Sequence, residues 1–97
     1  MLKVKNGVSP KNLVIAAAAA NVAHVMDVTV YITSGTDGKH MTGSKHYTGE
    51  ALDLRISNLT KPQIHEVVSR LKTRLGLDYD VILESDHIHI EHDPNRN

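Results

Sequence analysis

Apolar and polar residues alternate along three stretches of this chain and recur at helical spacing along a fourth. Val28, Val30 and Ile32 fall on one side of a strand over Val28 to Thr33, with Thr29, Tyr31 and Thr33 on the other. From Glu50 to Ile56 the pattern repeats: Leu52, Leu54 and Ile56 point one way, Ala51, Asp53 and Arg55 the other. Ile64, Val67, Val68, Leu71 and Leu75 then return every three or four residues, the signature of an amphipathic helix. Thr60-x-x-Gln63 opens that helix as a capping box, and Gly76 closes it.

Tyr79 to His92 reads as a hairpin turning on Ser85-Asp86. A two-residue loop sets Glu84 opposite His87 and Ile82 opposite His89. Val81, Leu83, Ile88 and Ile90 then share one face, and Glu84, His87, His89 and Glu91 share the other. A single uninterrupted strand would mix Glu84 and Asp86 with Ile88 and Ile90, so the hairpin is the consistent reading. Near the start, Ser9-Pro10 reads as an N-cap with proline at the first helical position. The alanine-rich stretch Lys11 to Met26 continues it as a helix whose small side chains allow close packing on a sheet. Ser34 to Tyr47, with three glycines, reads as a loop of functional length.

These elements predict an α+β fold: two helices on one face of a small antiparallel sheet, leaving the polar face open as a cleft. At 97 residues the chain fits a single domain. It has no Phe, no Trp and three Tyr, so the core must be built from Val, Ile, Leu and Ala. Formal net charge is zero, with 11 basic and 11 acidic residues, which argues against nucleic acid as a partner. No stretch approaches the roughly 18 apolar residues of a membrane span, and the first residues lack the apolar core of a secretory signal. The expectation is a monomer, cytoplasmic at synthesis and independent of membranes. Action on a cell wall would follow release by other means.

Two features of composition redirect attention to metal chemistry. Cysteine is absent, so any metal must be held by imidazole and carboxylate, and seven histidines are available. His46 leaves the long loop, Asp53 lies on the non-core side of the strand after it, and His89 lies on the polar side of the hairpin. If these strands share one sheet, the three converge. Two imidazoles and one carboxylate are a usual catalytic zinc set, with the fourth position left to water. Glu84 and His87, paired across the turn, are placed to take that water's proton. Taken alone, His46 would be a solvated loop residue and Asp53 a sheet-edge charge or a partner for Arg55. His24, His65 and His92 read as surface residues.

The residues around these candidates carry a family resemblance. Ser44-x-His46-x-x-Gly49-x-Ala51-x-Asp53 has every fixed position of the SxHxxGxAxD motif, and His87-x-His89 provides the HxH element that comes after it. The chain thereby resembles the zinc peptidases that act as D-Ala-D-Ala carboxypeptidases and peptidoglycan endopeptidases, related in fold to the hedgehog signalling domain. The resemblance implies one zinc ion held by His46, Asp53 and His89. It implies a base among Glu84, His87 and Asp86, and a substrate drawn from peptidoglycan stem peptides. Many relatives carry an arginine after the Ser-Gly upstream of the first motif, whereas here Ser34-Gly35 leads to Thr36, Asp37 and Gly38. Lys39, His40 and Arg55 are the candidates to replace it at the substrate, with Ser44 shaping the loop. The alternative is a hedgehog-like module that binds zinc without cleaving peptides.

Overall fold

The computed structural model describes residues 1–5, 8–10, 12–34 and 51–94. In chain order the described elements are β1 (Leu2–Val4), α1 (Leu13–Met26), β2 (Val30–Ser34), β3 (Ala51–Arg55), α2 (Lys61–Leu75), β4 (Tyr79–Leu83) and β5 (His87–His92). They form a small α+β fold in which five strands make one sheet of order β1-β2-β3-β5-β4.

The sheet is mixed, which corrects the expectation of a wholly antiparallel one. β1 runs parallel to β2, and the remaining neighbours are antiparallel. Leu2-Lys3-Val4 has a single alternation, too short to signal a strand from pattern alone. It becomes one because β2 supplies a template. The Val30 N–H donates to the Met1 carbonyl at 2.8 Å, the Lys5 N–H to the Ile32 carbonyl at 2.9 Å, and the terminal ammonium to the Val28 carbonyl at 2.6 Å. Parallel neighbours require a long crossover, and α1 is that crossover.

The alanine-rich helix is described from Leu13, and Lys11 lies outside the described residues. Ser9 and Pro10 precede it in a turn, where the Ser9 N–H donates to Asn12 Oδ1 at 2.8 Å and the Asn12 N–H to the Ser9 carbonyl at 3.2 Å. The fully buried Asn12 side chain also donates from Nδ2 to the Ala51 carbonyl at 3.2 Å, tying the helix entrance to the start of β3. Its amide is therefore used for tertiary stitching and makes no side-chain bond to the helix's own first turn. At the far end Asp27 adopts a left-handed conformation (φ 54°), and the Asp27 and Val28 N–H groups donate to the His24 and Ala23 carbonyls. This is a Schellman closure made with an aspartate, one of the few non-glycine residues that visit that region readily.

The capping box at the second helix forms as its spacing implies. The Gln63 N–H donates to Thr60 Oγ1 at 3.3 Å and the Thr60 N–H to Gln63 Oε1 at 2.9 Å. Thr60→Ala removes an acceptor for an otherwise unpaired helix-end N–H and is expected to cost about 1 kcal/mol. A shift in the urea midpoint with unchanged slope checks this.

Both helices cover the same side of the sheet. Ile15, Ala19, Val22 and Ala23 of α1 and Val67 and Leu71 of α2 join Val30, Ile32, Leu52, Leu54, Ile88 and Ile90 in one buried core. The alanines let α1 approach closely: Ala19 and Ala23 are at most 1% exposed. The hairpin register is the expected one, with Ile82 opposite His89 and the Glu84 N–H donating to the His87 carbonyl at 2.8 Å. Leu83 shares the core side with Ile88 yet is 42% exposed, because β4 is the edge strand. The opposite face of the sheet carries the polar residues.

Candidate metal centre

Strand pairing arranges the open face in rows that run across the sheet. Lys3, Tyr31, Arg55 and His87 are paired in succession along one row. Asp53, His89 and Ile82 form the next, and Ala51, Glu91 and Asp80 the third. The middle row begins where β2 bulges: Ile32 pairs with Leu54 but Ser34 pairs with Asp53, so two residues of β2 face one step of β3. Bulges at such places bend a strand and re-aim its side chains.

Asp53 and His89 therefore stand side by side on β3 and β5, each hydrogen-bonded to a neighbouring strand on both edges. His89 Nδ1 lies 3.0 Å from Asp53 Oδ1. His87 Nε2, one row away, lies 3.8 Å from the same oxygen. Two ligand atoms held tetrahedrally about zinc at roughly 2.0–2.1 Å are about 3.3 Å apart, a value these two separations bracket. The candidate ligand atoms of Asp53, His87 and His89 all lie within 4.8 Å of one another. Their donor set of one carboxylate and two imidazoles suits a divalent metal such as zinc. Asp53 and His89 are largely shielded, with side chains 15% and 16% exposed, and His87 is more open.

The outer nitrogens are also engaged. His89 Nε2 meets Glu91 Oε1 at 2.8 Å, and His87 Nδ1 meets Asp86 Oδ1 at 2.6 Å. A carboxylate on each side of the His89 ring favours its protonated form. The hydrogen bond to Asp53 does most, and Glu91 adds to it against the opposing effect of partial burial, so the pKa rises to about 8. In the metal-free protein this ion-paired imidazolium stabilises the fold fully below about 6.5, and the contribution disappears as pH rises through about 8. A metal at Nδ1 must displace that proton. Affinity for a divalent metal ion, measured by competition with a chromophoric chelator, should thus rise about tenfold per pH unit from roughly 6.5 to 8 and level off above. An affinity flat across that window would contradict the pairing.

The structure brings together Asp53, His89 and His87 from the sequence-level site. Arg55 lies beside His87, its guanidinium stacked 4.6 Å from the Tyr31 ring centroid. Glu84 is not brought to the cluster: it is exposed and lines a groove with Lys61, Ile64 and His65 of α2. His46, Ser44 and His40, like Lys39, lie outside the described residues. Alternation with His87 and His89 puts Glu91 on the polar face, but nothing in that pattern gives it a task; its contact with His89 does. Neither a family model nor a curated protein matches the chain.

Proposed function

We propose that the chain is a zinc-dependent peptidase that hydrolyses peptidoglycan stem-peptide bonds, of the D-Ala-D-Ala carboxypeptidase or L-Ala-D-Glu endopeptidase type. The observation that carries this reading is the apposition of Asp53 and His89 on the central strands at metal-sharing distance, with the first closing a motif and the second closing another. His46, from the segment before β3, is the third ligand in this reading, and one zinc is held per chain. The same likeness supports a hedgehog-related arrangement of sheet and helices.

Zinc bound there supplies a Lewis acid for the scissile carbonyl and a water of lowered pKa. The chain's own groups do the rest. His87, with Nδ1 fixed by Asp86 at 2.6 Å, presents Nε2 toward the shared oxygen of Asp53. From there it accepts the water's proton and returns one to the departing amine. Glu84, the other base candidate, lines the groove beside α2 and takes no part in this step. Arg55 is braced on Tyr31 one row from the metal ligands, where its guanidinium binds a substrate carboxylate in place of the arginine that many relatives carry upstream. The resemblance assigns Ser44 and His40 to the substrate as well. The partner is a peptide of the wall, with no role for nucleic acid or membrane, and the enzyme acts as a monomer. It is made in the cytoplasm and reaches the wall after release. No described helix is long and apolar enough to cross a membrane.

The second reading, a zinc-binding module without peptidase activity, draws on the position of His87. If His87 ligates together with His46, Asp53 and His89, four protein ligands close the coordination shell and leave no site for water. Digestion of purified peptidoglycan, with mass spectrometry of the products in the presence and absence of chelator, separates the two. The peptidase reading requires stem-peptide fragments that vanish with chelator and return with added zinc. A zinc-loaded protein that releases none supports the module.

A further inference from the structure

Glu91 belongs to neither motif, yet it contacts the His89 ring more closely than Asp53 does. Its Oε1 lies 2.8 Å from Nε2, against 3.0 Å between Asp53 Oδ1 and Nδ1. A neutral imidazole carries one proton and has one lone pair to give. The proton can remain on Nδ1, where Asp53 would accept it, or on Nε2, where Glu91 would. Only the second arrangement leaves Nδ1 free to bind a metal beside Asp53.

The geometry points to Glu91 as the positioning residue that holds the proton of His89 on Nε2 and so reserves Nδ1 for the metal, an inference that rests on the metal-centre reading above. Three observations support it. Glu91 and His89 are two apart on one strand, so both point to the open face, and the pairing of β5 with β3 and β4 fixes their spacing. The Glu91 side chain is only 22% exposed, which limits competition from water for its oxygen. Beyond it lie Asp80, directly opposite on β4, and Asp93, with carboxylate oxygens of all three within 4.8 Å of one another. That negative charge gathers on the Nε2 side of the ring and adds to the attraction for a proton there. Metal-binding histidines commonly have their second nitrogen held by a carboxylate, and loss of such a partner weakens metal binding about 10–100-fold.

The test uses the whole chain and two variants, Glu91→Ala and Glu91→Gln. Imidazole 15N shifts in alkaline, metal-free buffer report the tautomer of His89, and competition with a chromophoric chelator reports zinc affinity. Circular dichroism verifies that each variant is folded. The wild type should show the Nε2–H tautomer. Glu91→Ala should move His89 toward Nδ1–H and weaken zinc binding about 10–100-fold. Glu91→Gln, whose amide oxygen still accepts from Nε2–H, should restore the tautomer and most of the affinity. The proposal is overturned if Glu91→Ala keeps the wild-type tautomer, whether or not affinity falls, or if glutamine fails to restore it. Should the wild type bind no zinc at all, the metal-centre reading fails, while the tautomer comparison still decides what Glu91 does.

Discussion

Replacing Asp53 with asparagine should leave a folded protein that neither holds zinc nor cleaves peptidoglycan. Asn is nearly isosteric with Asp, and the side chain lies on the open face, outside the apolar core. The substitution removes the charge on the oxygen that both imidazoles approach, His89 at 3.0 Å and His87 at 3.8 Å. Removing a carboxylate that only supports a ligand weakens metal binding about 10–100-fold; removing a ligand should cost at least about 100-fold. Turnover should fall further. Metal polarisation of the reacting centre is worth several kcal/mol, and each 1.36 kcal/mol is a factor of ten, so a loss of at least about 1000-fold is expected. Zinc content after gel filtration and fragment yield from peptidoglycan are the readouts. If Asp53→Asn retained a full complement of zinc, Asp53 would not be a ligand.

Ile90→Ala should produce the second large effect, on the fold. Ile90 is fully buried and is flanked across the sheet by Leu52 on one side and Val81 on the other. Truncating such a side chain costs about 2–5 kcal/mol in lost transfer energy and residual cavity. A domain of this size has roughly 5–15 kcal/mol in total, so the melting temperature should drop by more than about 10 °C. Chemistry should suffer with the fold. His89 and Glu91 flank Ile90 and owe their orientation to its anchoring, so metal binding should weaken as stability does. Ile82→Ala offers the contrast, since Ile82 lies opposite His89 on the open face and is 42% exposed. It should shift the melting temperature by only a few degrees. Equal losses from both variants would contradict the assignment of faces.

Much of this arrangement is legible in periodicity, and the reasons differ by element. The hairpin register comes from requiring that Val81, Ile88 and Ile90 share a buried side, a strong constraint because a slip of one residue inverts every side chain. Thr60 and Gln63 announce their helix because both halves of a capping box are local in sequence. The features that periodicity misses are non-local. Leu2–Val4 is a strand only because Val30 and Ile32 pair with it, and Asn12 opens its helix differently because its amide reaches Ala51, 39 residues away.

The site shows the same division. Asp53 and His89 are legible through motif and alternation, and β3–β5 pairing sets them opposite each other. The pairing of Glu84 with His87 across the turn is also legible, but alternation says nothing about a side chain once a strand has ended. β4 stops at Leu83, and Glu84 opens toward α2 instead. The partnership of His87 with Asp86, its chain neighbour, involves residues of opposite alternation and depends on the turn's own geometry. Glu91 has the right parity and no motif to mark it.

Metal analysis of the purified chain, equilibrated with zinc and freed of unbound metal, tests the central claim most directly. The proposed ligand set of Asp53, His89 and His46 predicts one zinc per chain at neutral pH. A chain that retains no zinc under those conditions would contradict it.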